Sequence, residues 1–398
     1  MIDTVIAPIG MLLFAACLMA MLSRRLGLPY IVGLVIAGIL IAFLPNAPQL
    51  PLSRELIFNV LLPPLVFEAA LQLDWHRFKG ELPLTLFLAF IGVAIAGTLV
   101  ATGMHFILGW SWIGAAMFGV LIAATDPVSV IAAFREMKAE KRLSMVVESE
   151  SLLNDGAAAV GFAVLLAMAE GGTHGIASFA WSFFWATGGG VVIGLVVSAV
   201  ALLIAGKTDD HLIEITLTTI AAYSSFLFAE HLHASGVIAA LTAGLVVGSV
   251  SAKGIIADVD RPLILSFWEY VAFLANSLIF ILIGMNTANQ PLHQLGIFAA
   301  ITAIALVLAG RAVSVYPLAS LFLVTRWRLS LAYQHILFWG GLRGALALAL
   351  ALAVPVSVAE RSAIVTTAFV VVAFSILVQG LTMPSMLKRF GLTDHAKV

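Results

Sequence analysis

Cysteine is all but missing from this chain. Cys17 stands alone, which excludes an intrachain disulfide and any cysteine-based metal site. Charge is also scarce. Only 10% of the 398 residues are charged and the formal net charge is −1. A soluble domain carries about 25% charged residues, and nucleic-acid binding needs a basic surface that this balance does not supply. The N-terminus, Met1-Ile2-Asp3, has no basic n-region, and its apolar run to Leu22 meets Ser23-Arg24-Arg25 without a convincing cleavage site. It reads as a retained first span, not a signal peptide. With so few residues past Lys388, a cytoplasmic regulatory domain is not expected.

Apolar residues dominate: the chain is 62% hydrophobic, with mean hydropathy +1.10. It therefore reads as an all-α polytopic membrane protein. Thirteen apolar segments are expected, at roughly 5–22, 30–45, 54–72, 83–108, 112–134, 143–169, 177–205, 211–230, 235–250, 262–287, 295–323, 332–355 and 361–387. The connections are short, so one integral domain is expected over 1–398. With the N-terminus outside, nearly all Lys and Arg in the connections fall inside. Only Arg54 and Arg361 fall outside, while Arg311 and Arg343 lie within spans. The positive-inside rule thus favours N-out, C-in. Six spans, a linking span and six more would set two halves in opposite orientations, the inverted-repeat layout of secondary transporters. Span five then pairs with span twelve. Span five is interrupted by Thr125-Asp126-Pro127 and span twelve by Gly340-Gly341-Leu342-Arg343-Gly344. Pro127 lacks an N–H and clashes with the preceding turn, and the glycines weaken helix order at the matching point. Broken helices crossing at the midplane are tolerated only where protein or a water-filled cavity surrounds them.

The chemistry concentrates in Glu148-Ser149-Glu150-Ser151-Leu152-Leu153-Asn154-Asp155-Gly156. Asp155 lies ~18 Å along its helix from Leu143, and Asp126 ~21 Å along span five from Trp112, both near the middle of a ~30 Å hydrocarbon slab. Carboxylates at that depth are costly and functional by default. With Ser151 one turn before Asp155, Asn154 beside it and carbonyls freed at the break, they suit a hard monovalent cation. The alternative is that both acids only hold helices together by hydrogen bonds. Arg311 is the expected partner of Glu150, and Arg343 of Glu68, because an unpaired buried charge is severely penalised. Glu148 can line a cytoplasmic funnel. Glu269 is expected at the interface between belt aromatics, Asn276 and Ser277 deeper, and His231 and His233 in solvent. Gly188-Gly189-Gly190 and Gly194 are expected to permit close helix packing.

These residues resemble the cation/proton antiporter family, in the branch of NhaP-type bacterial antiporters and animal sodium/proton exchangers. The matching motifs are Leu62-Pro63-Pro64 through Phe67-Glu68-Ala69, Thr125-Asp126-Pro127-Val128, Glu150 to Asp155, Asn276 to Gly284, Gly310-Arg311 and Gly340 to Ala345. They occur in the family's order and cover most of the membrane domain. The resemblance implies a thirteen-span fold with a mobile core, about 83–169 and 295–387, and a dimerisation scaffold, about 1–72 and 177–287. It implies a Na+ site of Asp155, Asp126, Ser151 and the Thr125 backbone with Glu150 close by, the Glu150–Arg311 and Glu68–Arg343 pairs, and a homodimer in a plasma membrane. Asn154-Asp155 resembles the electroneutral branch; the electrogenic branch carries two aspartates there. The expected activity is one-for-one exchange of Na+ (or Li+ or K+) against H+, by alternating access, without a cofactor or an enzymatic step. An electrogenic or K+-selective exchanger is the nearer alternative. An intramembrane aspartyl protease using Asp126 and Asp155 is the remote one, because a Gly-x-Gly sequence ahead of the second Asp is absent.

Overall fold

The computed structural model describes residues 3–26, 29–45, 52–126, 128, 130–131, 134, 137–170, 176–208, 210–251, 261–290 and 295–393. Pro127 lies outside these. The described residues are almost wholly helical: α1 Asp3–Leu26, α2 Tyr30–Ala42, α3 Leu56–Gln72, α4 Trp75–Leu108, α5 Trp112–Leu121, α6 Lys141–Ala169, α7 Ile176–Ala205, α8 His211–His231, α9 Gly236–Ser251, α10 Arg261–Ala288, α11 Ile297–Ser320, α12 Leu331–Trp339, α13 Ala345–Leu352 and α14 Arg361–Arg389. Among the described residues, seven helices are long and apolar enough to cross a membrane, and five more apolar helices are shorter. The molecule is an all-α polytopic membrane protein. Each of the thirteen expected segments contains a helix, and spans five and twelve contain the breaks.

Local chemistry explains the irregular helices. A π turn at Leu56–Leu61 opens α3 just before Pro63 and Pro64. Each proline removes a helical donor, so the carbonyls four residues back need other partners. One of them, Val60 O, accepts from the Tyr223 hydroxyl at 2.9 Å. A second π turn, Ser375–Gly380, interrupts α14 four residues ahead of Pro384. Ser111 caps α5 by accepting from Gly114 N at 3.2 Å, and Ser330 caps α12 by accepting from Tyr333 N at 3.2 Å. The two interrupted spans therefore open with the same device, a serine oxygen on an orphan helix donor.

Packing divides the chain into two units, the first Met1–Arg54, Pro83–Asn154 and Ser277–Val398, the second Glu55–Leu82 and Asp155–Asn276. In the first, a buried cluster joins Leu84 and Leu88 to Val146, Val315, Ile336 and Leu387. In the second, Phe67 packs on Trp268 with ring centroids 4.7 Å apart, among Ala221, Ala243 and Val247. Trp268 is 1% exposed and its indole N–H donates to Thr218 Oγ1 at 2.9 Å. It is a core side chain, not the belt aromatic expected beside Glu269, because the period of α10 turns it inward while Tyr270 stays out. His231 and His233 are exposed. A Cβ on Gly190 would press on Ser235 O and one on Gly194 would overlap Ala239 O, whereas Gly188 faces open space. Close packing thus accounts for the later glycines of that run and not for the first.

Candidate cation site

Span five stops being helical after Leu121, and Ala124, Thr125 and Asp126 run on without helical hydrogen bonds before helix resumes at Val128. Span twelve stops at Trp339 and restarts at Ala345. The two unwound stretches touch: Asp126 N donates to Leu342 O at 2.7 Å. The glycines are what let them touch. A Cβ on Gly344 would overlap the Asp126 carboxylate, and one on Gly341 would come within 2.6 Å of Arg311 Nε. These glycines, read in the sequence as helix weakeners, serve close approach.

Each half-helix end finds a compensating group. The Asp126 Oδ1 accepts from Val128 N at 2.9 Å, capping the second half of span five. Its carboxylate also lies against Gly344, at the start of α13, where exposed N–H groups favour negative charge. At the opposite ends, orphan carbonyls attract cations. Arg343 Nη1 donates to Ala123 O and Ala124 O at 3.0 and 3.1 Å, and Arg311 Nη2 to Leu337 O at 2.9 Å. The intramembrane arginines therefore neutralise the carbonyl ends of the two broken helices.

Arg311 also grips Glu150, Nη1 to Oε1 at 2.7 Å and Nη2 to Oε2 at 2.9 Å. Both residues are buried, at 5% and 2% exposure, so the pair survives only because both guanidinium edges and both carboxylate oxygens are used. On the same helix, Ser151 Oγ donates to Thr125 O at 2.6 Å and lies 2.8 Å from Thr125 Oγ1. Asn154 Nδ2 donates to Thr125 Oγ1 at 3.2 Å and reaches Glu150 Oε1 at 3.4 Å. These two acceptors fix the amide's orientation, and Asn154 Oδ1 is left buried with no hydrogen bond among the described residues. Asp155 follows on α6, buried at 9% exposure; Ser151, four residues earlier, shares its helix face. Glu68 belongs to the second unit, where Gln72 donates to it. Asn276 and Ser277 are buried and Glu148 half-buried.

Two site-supporting residues carry no motif. Ser375 Oγ accepts from Arg343 N at 2.7 Å, and Gln379 Nε2 donates to Trp339 O at 3.1 Å. Both sit on the π turn of α14 and brace the break in span twelve. Their signal in the sequence is slight: two polar residues, one turn apart, in the otherwise apolar run 368–381.

Two interrupted helices crossing through their unwound backbone, with a half-buried carboxylate and buried guanidinium groups at the half-helix ends, define a secondary ion transporter. The chain belongs to a family described as the transmembrane sodium/hydrogen exchangers, which matches residues 12–389. It is 37% identical over 367 residues to the Na+/H+ antiporter ApNhaP of Aphanothece halophytica, covering 92% of this chain and 70% of that one. It is 36% identical over 392 residues to the Na+/H+ antiporter NhaS2 of Synechocystis, covering 98% and 72%. The solved sodium proton antiporter MjNhaP1 of Methanocaldococcus jannaschii, in its structure at pH 8, has the same fold, with TM-score 0.75, 21% identity and coverage of 97% and 98%.

Proposed function

We propose that this protein exchanges Na+ for H+, one for one, by alternating access. Asp155 and Asp126 are the carboxylates that titrate, and oxygens of Ser151, Thr125 and Asn154 complete the cation's shell. Glu150, held by Arg311, tunes the site without leaving its partner. The observation that carries the reading is the crossing itself: among the described residues the unwound Thr125 O accepts from one hydroxyl, that of Ser151, and Asn154 Oδ1 is a buried oxygen with no hydrogen bond, next to it in the hydrogen-bond network. Unwound carbonyls and half-helix ends are what transporters use for Na+ and H+. The antiporter names of the relatives support the same substrates.

The coupling follows from elementary electrostatics. Burial disfavours a charged carboxylate; a proton removes the charge and a bound cation compensates it. The two occupants compete for one acid. A site filled by either is near neutral, whereas an empty one carries a charge that the low-dielectric barrier rejects. Exchange then needs neither a cofactor nor a covalent step. The core that moves is about 83–169 and 295–387, the remainder serves as scaffold in a homodimer within a plasma membrane, and the orientation is N-out, C-in.

The test is cation-driven proton flux in proteoliposomes, with Na+, Li+ and K+ offered in turn. Asp155→Asn and Asp126→Asn should each abolish the flux while the purified protein keeps its helical circular dichroism and its elution volume. Asparagine can still cap Val128 N, so loss at position 126 reports the charge and not the turn. Undiminished Na+-driven flux in Asp155→Ala would end this reading.

A further inference from the structure

We propose that one end of the first unit, where the α11–α12 loop, the start of α6 and the end of α14 meet, is a binding surface for anionic phospholipid headgroups. The three segments are tied together. Arg142 Nη1 donates to Arg328 O at 3.3 Å, Glu140 N donates to Leu392 O at 3.3 Å, and Ala139 and Thr393 form an antiparallel bridge. Beneath them Leu143, Leu329 and Leu387 belong to one buried cluster, so the surface above is fixed and not a chance meeting of loops.

That surface is basic. Lys138, Lys141 and Arg142 come from the first segment, Arg326 and Arg328 from the second, Lys388 and Arg389 from the third, and all but the half-buried Arg142 are exposed. Glu140 is the one carboxylate among the described residues of 137–142, 321–330 and 381–393. Guanidinium forks with neighbouring ammonium groups suit phosphate monoanions. The apolar side chains beside them point to lipid and not to a soluble partner. In the loop that leaves α11, Leu321 is 63% exposed, Leu323 54% and Val324 97%, and Arg326 stands 4.6 Å over the ring of Trp327. Apolar side chains, a tryptophan and flanking arginines are the composition of a segment lying at the headgroup boundary. Each basic group near an anionic leaflet adds to the attraction. Only the assignment to the cytoplasmic leaflet rests on the orientation proposed above.

Thermal unfolding of the detergent-purified full chain tests this without reading transport. Added phosphatidylglycerol should raise the midpoint, and phosphatidylcholine or inorganic phosphate should not. The combined variant Lys141→Gln, Arg326→Gln, Arg328→Gln, Lys388→Gln should lose at least half of that rise and keep its midpoint in detergent alone. Lys79→Gln with Lys207→Gln, exposed positions on the second unit, should keep the rise in full. Arg326→Glu and Arg328→Glu as single variants carry the test if the fourfold variant unfolds; each should remove part of the rise. An equal rise with phosphatidylcholine overturns the proposal, as does a rise reproduced by inorganic phosphate. So does a full rise in the fourfold variant or in both single reversals, or an equal loss in the Lys79 and Lys207 variant.

Discussion

Arg311 is asked for more than a carboxylate. It spends Nη1 and Nη2 on Glu150 and also meets Leu337 O through Nε and Nη2. Removing it would strand a buried carboxylate and an orphan helix end together. Breaking a buried pair from one side costs about 3–5 kcal/mol, so Arg311→Met should unfold at much lower denaturant than wild type. Glu150→Gln, which can still accept from the guanidinium, should lose less. The double variant Glu150→Gln, Arg311→Met should recover part of the Arg311→Met loss, because no ionised carboxylate is then left alone. Denaturant midpoints of the four proteins in one detergent give the cycle; strictly additive losses would mean that the two side chains are energetically independent. Arg343 shows that a buried guanidinium is also satisfied by backbone carbonyls. That of Ala123 is marked in the sequence by Pro127, four residues on, which has no N–H to offer it; that of Ala124 becomes an acceptor only once the helix has broken, and no residue type marks it.

Hydropathy made the helices legible, because a span needs about 20 apolar residues whatever it packs against. The two interruptions were legible from proline and glycine. What a given glycine is for was not, since an open face and a backbone crossing look alike in one dimension. Gly344 and Gly188 separate the cases. Gly344→Ala would push a methyl into the Asp126 carboxylate and should lower both stability and Na+-driven proton flux. Gly188→Ala meets nothing within 4 Å in the middle of α7 and should be neutral or stabilising by up to about 1 kcal/mol. The helix ends carry a pH signature as well. Ser111 N and Oγ donate to the Glu360 carboxylate at 2.9 and 2.8 Å. Burial pushes this carboxyl up, but the hydrogen bonds from Ser111 outweigh it and hold it below its ordinary value of 4.5. A carboxyl lowered by folding stabilises above its unfolded value, and that contribution disappears as pH falls through the lowered one. Wild-type stability should therefore drop below about pH 4.5 more steeply than that of Glu360→Gln, in thermal midpoints recorded from pH 7 downward. Parallel profiles would mean that the Ser111 contact contributes nothing.

For the molecule as a transporter, stoichiometry turns on the net charge that the moving site carries. In the one-for-one exchange proposed above, Asn154 is the residue that sets it. Its Nδ2 donates to Thr125 Oγ1 and Glu150 Oε1, so the neutral amide satisfies two acceptors without adding charge to α6. An aspartate there could donate to neither when ionised, and would place a second negative group beside Asp155 with Glu150 already occupied by Arg311. The added carboxylate would have to be neutralised by a proton or would move through the field. One elementary charge crossing 100 mV is worth about 2.3 kcal/mol, roughly fiftyfold in the exchange equilibrium; a cycle that moves no net charge shifts not at all. In proteoliposomes with the potential clamped by K+ and valinomycin, wild-type Na+-driven proton flux should be the same at 0 and about 100 mV. Asn154→Asp should acquire a dependence on potential, at reduced turnover because Thr125 Oγ1 has lost its donor. Voltage dependence in the wild type would remove the one-for-one stoichiometry and leave the site intact. A variant that is active and still blind to potential would show that position 154 lies outside the charge that moves.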